Sequence, residues 1–193
     1  GGTAYGTDIW LIKINDDGDS LWSKTYGGAD DEFSKYVYEN DNGDLTIIGN
    51  TRSYGSGEND LWLVKTTSNG DSLWSQTYGG IGNESPSTII DFGDNGYLIV
   101  GHTNSYGNDD YDIWLIQTDS NGDSLWSQTF GGEGNEYAYY AEKTNDNGCI
   151  IVGTYGINTD TTDIWLLKIS PIVLNTQQLE FPRKYLLNQN YPN

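Results

Sequence analysis

A chain of 193 residues with 28 acidic and 9 basic side chains carries a formal charge of −19, a field that repels nucleic-acid phosphates and anionic lipid headgroups alike. Apolar residues make up 35% and aromatics 13%, with 15 Tyr and 7 Trp, so the core is built from rings and low hydrophobicity does not mean disorder. No apolar stretch reaches the length of a membrane span, and the single cysteine, Cys149 in an Ile/Val-rich run, excludes an internal disulfide framework and reads as a small buried hydrophobe.

The tryptophans announce a tandem repeat. Trp10, Trp62 and Trp114 are 52 residues apart and Trp165 follows after 51, while Trp22, Trp74 and Trp126 form a second set at the same spacing of 52. Segments 60–80 and 112–132 agree at 16 of 21 positions. In chain order, a half unit occupies 8–26, whole units occupy 33–78 and 85–130, and a partial unit occupies 136–169. The chain opens inside a repeat and contains no methionine, so a longer parent protein is expected.

Within the first whole unit, four runs rich in β-branched and aromatic residues lie at 33–39, 44–51, 60–66 and 72–78. Between them, pairs such as Asn42-Gly43, Asn69-Gly70, Asn95-Gly96, Asn121-Gly122 and Asn147-Gly148 supply residues that tolerate positive φ, so successive strands are expected to pair antiparallel. In the run at 60–65, both alternating faces carry large apolar groups, which predicts a sheet covered on both sides. An all-β array of four-stranded antiparallel blades follows, about three and a quarter of them across 1–170, of the radially repeated β-propeller kind. So few blades leave raw edges, which implies either a longer chain or a homodimer that completes the ring.

Two stretches resemble known families. The hairpin Asp119-Ser120-Asn121-Gly122-Asp123-Ser124-Leu125-Trp126, repeated with Asn15 first in 15–22, resembles the tryptophan motif of pyrroloquinoline-quinone-type propellers. That resemblance implies that glycine turns the hairpin and tryptophan docks on the neighbouring blade; no quinone-binding residues can be placed. The tail Leu187-Asn188-Gln189-Asn190-Tyr191-Pro192-Asn193 resembles the opening of the type IX secretion C-terminal sorting domain. It implies export to the cell surface or beyond, with 171–193 serving as linker and start of the sorting signal.

No catalytic constellation can be assembled around the one histidine, His102. The seven tryptophans, Trp10, Trp22, Trp62, Trp74, Trp114, Trp126 and Trp165, are expected to pack between blades because they recur at fixed positions. Connections on one common face are acidic and aromatic, and Tyr54, Glu58, Tyr106, Asp109 and Asp110 are the candidate binding residues there, suited to a glycan or a protein ligand. Glu32, Glu84 and Glu136 fall in the same loops. Turn carboxylates hint at calcium without a complete ligand spacing, and no other cofactor is expected. The leading expectation is a non-enzymatic secreted scaffold or binding module, with a glycan-acting hydrolase fragment or a calcium-rigidified surface protein as alternatives.

Overall fold

The computed structural model describes residues 6–93, 96–108, 110–158 and 161–169. Thirteen strands and no α-helix occur among them. Strands β1 (Ile9–Ile14) and β2 (Ser20–Tyr26) form the first sheet. The second holds β3 (Glu32–Glu39), β4 (Leu45–Thr51), β5 (Asp60–Thr66) and β6 (Ser72–Tyr78). The third repeats it with β7 (Glu84–Asp91), β8 (Tyr97–Thr103), β9 (Asp112–Thr118) and β10 (Ser124–Phe130). The fourth consists of β11 (Tyr137–Lys143), β12 (Cys149–Asn158) and β13 (Thr161–Ile169). Every pairing within a sheet is antiparallel between sequence neighbours. Each expected strand run lies within a residue or two of its observed strand.

The hairpins place the positive φ on the last residue of the turn. In 40–43 the Gly43 N–H donates to the Asn40 carbonyl at 2.8 Å, and Gly43 alone carries the positive φ, 85°. This is a type I turn followed by a left-handed glycine, the three-residue hairpin solution. Only at 144–147 does asparagine take that role, with Asn147 at φ 60°.

A second repeated device lies where the first strand of a unit meets the second. Register shifts fall between Ser34 and Tyr36, Pro86 and Thr88, and Ala138 and Tyr140, one bulge per unit at one position. Opposite each bulge stands a glycine whose Cβ would meet the facing carbonyl, at 2.3 Å for Gly101 against Ser85. The bulge also accommodates Pro86 within a strand.

Successive sheets pack face to face. Ile9 and Tyr26 meet Ile47, Trp62 and Val64 between the first and second sheets. Ile48, Leu61 and Leu63 meet Ile89, Ile99 and Trp114 between the second and third. Leu98, Val100, Ile113 and Leu115 meet Ala141, Cys149, Ile151 and Leu167 between the third and fourth. Cys149 is fully buried and burial pushes its thiol up to about 11, so it behaves as the small apolar group its neighbours predict.

The second tryptophan of each unit reaches the next sheet. A Cβ on Gly70 would touch the Trp22 ring at 2.9 Å, and one on Gly122 the Trp74 ring at 2.7 Å. Tyr26 donates its hydroxyl to the Gly70 carbonyl at 2.7 Å, and Tyr78 to that of Gly122. Glycine at the hairpin therefore serves the turn and leaves room for the neighbour's indole.

Candidate functional site

The connections that lead from one sheet to the next share an end with those joining the second and third strands of each four-stranded sheet. There, between the second and third sheets, opens a cleft of about 440 Å³. Its walls come from the start of β3 (Phe33, Lys35), the ends of β4 and β8 (Asn50, His102), and the loop residues Asn59, Asn83 and Tyr111.

His102 is held edge-on between two rings, 5.5 Å from Tyr111 and 4.9 Å from Tyr137. Burial, with a smaller contribution from Lys35, lowers its pKa to about 4, so the imidazole is neutral near pH 7. Its Nδ1 is buried and has no hydrogen-bond partner among the described residues, a cost borne by the fold. The wall therefore presents a neutral imidazole near pH 7.

Beside it runs a chain of amides. The Arg52 Nε donates to Asn59 Oδ1 at 3.0 Å, Asn59 donates to Asn83 Oδ1, and Asn83 Nδ2 donates to Glu58 Oε2 at 2.9 Å. The Asn83 N–H also donates to Asn104 Oδ1 at 2.6 Å. This network fixes Asn59 and Asn83 in the wall of the cleft, and Glu58, which is not one of the lining residues, ends the hydrogen-bonded row.

The expected binding residues are distributed unevenly. Tyr54 lies against Trp62 with ring centroids 5.4 Å apart and donates to the Gly27 carbonyl at 2.8 Å. Tyr106 repeats this on Trp114 at 5.2 Å, donating to Gly79 at 2.7 Å. Both are partly exposed, so each braces the sheet-to-sheet crossover and still offers an edge to solvent. Asp110 is exposed, and Asp109 lies outside the described residues.

Glu32, Glu84 and Glu136, in the same loops as the candidate binding residues, are almost fully buried. The Gly28, Gly80 and Gly132 N–H groups donate to their Oε2 atoms at 2.8, 3.0 and 2.8 Å. Each Glu N–H donates to the carbonyl of the residue preceding an aspartate: Thr7 before Asp8, Asn59 before Asp60, Tyr111 before Asp112. The spacing of 24 residues from Asp to Glu, repeated at 52, was present in the sequence but resembled ordinary loop acidity.

Of the tryptophans, Trp62 and Trp114 are 5% exposed while Trp10 is 66% exposed. Trp22, Trp74, Trp126 and Trp165 are half-buried. Trp62 and Trp114 belong to the clusters between sheets, while Trp10, on the outer face of the first sheet, has no cover among the described residues.

Turn carboxylates and amides cap their own loops. Asn15 Oδ1 accepts from Asp17 and Asp19 N–H at 3.1 and 2.8 Å, and Asp119 Oδ1 from Asn121 and Asp123 at 2.8 and 2.9 Å. Among the described residues no three acidic, histidine or cysteine side chains converge. No protein-family model and no curated protein matches this chain.

Proposed function

We propose that this chain is a β-propeller-type binding module of a secreted or cell-surface protein, and that the His102 cleft takes an uncharged glycan. The observation that carries the reading is the cleft itself, where a neutral imidazole stands between two tyrosines beside ordered asparagine amides. Hydroxyl-rich rings satisfy such walls, with hydrogen bonds to the amides and imidazole and stacking on the aromatic edges. The formal charge of −19 disfavours anionic ligands. The chain's repeated sheets stacked face to face support the propeller reading, and its tail sequence supports export through a type IX route.

Calorimetric titration with a panel of neutral and acidic oligosaccharides tests the assignment. Binding of a neutral sugar, weakened at least tenfold by His102→Ala and leaving the sugar uncleaved by NMR, is the expected result. Cleavage of the sugar would favour a hydrolase, and neutral-sugar binding indifferent to His102→Ala would move the site elsewhere.

The same proposal includes pairing between copies. The outer face of the first sheet (Trp10, Ile12) and that of the fourth (Ile164, Leu166) correspond to surfaces that pack against each other inside the chain. A head-to-tail dimer covers both. Light scattering on the purified chain should give twice the monomer mass, and a strict monomer would remove this part of the reading.

A further inference from the structure

We propose that Asp112 and Glu136 share one proton, forming an acid-favoured clamp at the crossover from the third sheet to the fourth. Asp112 begins β9 and Glu136 immediately precedes β11, and both are almost completely buried. A Cβ on Gly131 would stand 1.6 Å from Asp112 Oδ1 and 2.3 Å from Glu136 Oε2. The two oxygens therefore lie within about 4 Å of each other, in a space that only glycine leaves open.

Every other oxygen of the pair has a backbone donor. The Asn108 N–H donates to Asp112 Oδ2 at 2.8 Å, the Gly132 N–H to Glu136 Oε2 at 2.8 Å, and the Gly156 N–H to Glu136 Oε1 at 3.2 Å. These donors satisfy one negative charge but leave Asp112 Oδ1 facing a second carboxylate. One proton between the oxygens converts that repulsion into a hydrogen bond.

The neighbouring junction repeats the geometry independently. Asp60 Oδ1 and Glu84 Oε2 stand 1.7 and 2.3 Å from the Cβ position of Gly79. Asp60 Oδ2 accepts from the Ser56 and Gly57 N–H groups at 2.8 and 3.1 Å, while Asp60 Oδ1 is buried with no hydrogen-bond partner among the described residues. The orphan oxygen is the one aimed at the glutamate.

Groups packed around the Asp112–Glu136 pair do not neutralise it. Asp110 and Tyr111 lie on its own loop, Glu133 on the crossover, Tyr137 on β11, Tyr155 on β12 and neutral His102 on β8. Asp110 adds repulsion, and among the described residues no lysine or arginine acts appreciably on either carboxyl. Burial, the largest cause, raises the Glu136 pKa to about 7, and burial likewise raises that of Asp112.

Because the folded pKa of Glu136 exceeds its unfolded value, the folded state binds more protons between pH 4.5 and about 7. This contribution is fully present below pH 4.5 and is lost as pH rises through about 7. The clamp thus holds the crossover most firmly in mildly acidic surroundings.

Melting temperatures of the whole chain from pH 4 to pH 9 test the proposal. Asp112→Asn supplies an N–H to Glu136 Oε2 at every pH; Asp123→Asn removes the same formal charge from an exposed hairpin. Asp112→Asn should flatten the decline that wild type shows between pH 5 and 8, and Asp123→Asn should retain it. A carboxyl carbon titration by NMR should place the Glu136 midpoint near 7 in wild type and lower it in Asp112→Asn. Parallel melting profiles for wild type and Asp112→Asn, or a Glu136 midpoint in the ordinary carboxylate range, would overturn the proposal. So would a rise in wild-type melting temperature with calcium at pH 8 that Asp112→Asn abolishes, because the pair would then be a cation site.

Discussion

Trp62 and Trp10 occupy the same place in successive units, 52 residues apart, yet one is 5% exposed and the other 66%. Ile113 and Ile164 show the same contrast at the other end of the array, at 1% and 79%. Local sequence is nearly the same in each comparison, and so is strand position. What differs is whether another sheet lies against the face. The hydrophobic effect scales with area removed from water, so identical residues count as core in the inner sheets and as contact surface on the outer ones.

Truncations at paired positions should expose that difference. Trp62→Ala should destabilise the chain by roughly 3–5 kcal/mol in urea unfolding, as expected for a large buried ring. In a dilute monomer Trp10→Ala should shift the midpoint little, and in a head-to-tail dimer its main effect would be to halve the mass in solution. Equal losses for the two variants in the monomer would mean that residues outside the described ones cover Trp10.

Next in size is the pair of leucines. Leu115→Ala removes a fully buried side chain between the third and fourth sheets and should cost about 2–5 kcal/mol. Its counterpart Leu166 is exposed, and in a dilute monomer Leu166→Ala should stay within about 0.5 kcal/mol. Matching values would show that the outer face of the fourth sheet is buried in solution.

Smaller effects probe local features of single units. Gly101→Ala forces a methyl group against the Ser85 carbonyl and should cost about 1–3 kcal/mol, because the bulge must open. A neutral result would mean that the bulge is not a fixed part of the sheet. Smallest of all, Lys24→Ala breaks the ion pair to Asp71 at 2.8 Å across exposed surface. It should leave the unfolding midpoint unchanged within error.

The strands and their antiparallel order were legible because each run of β-branched and aromatic residues is bounded by Gly, Asn and Asp, and because the repeat displays every run several times. The hairpins were legible in place but not in type, since Asn-Gly satisfies two turn geometries and the flanking register selects between them. The cleft was only partly legible. Glu58 hydrogen-bonds to the lining residue Asn83, but Asn59, Asn83 and Tyr111 come from different connections and His102 from β8, and no spacing in the chain marks them as neighbours.

Glu32, Glu84 and Glu136 mark the boundary most clearly. Their period of 52 is plain in the sequence, but a carboxylate in a Gly-rich loop gives no indication of whether water or a second carboxylate faces it. The sequence by itself determined the repeat, the strands, the turns and the alternation of apolar faces, because these depend on neighbours along the chain. Only the tertiary structure decided which faces are covered, which loop carboxylates are buried in pairs, and that His102 stands between two tyrosines. Those outcomes depend on sheets brought together across 50 residues or more, where burial rather than local preference sets the energy.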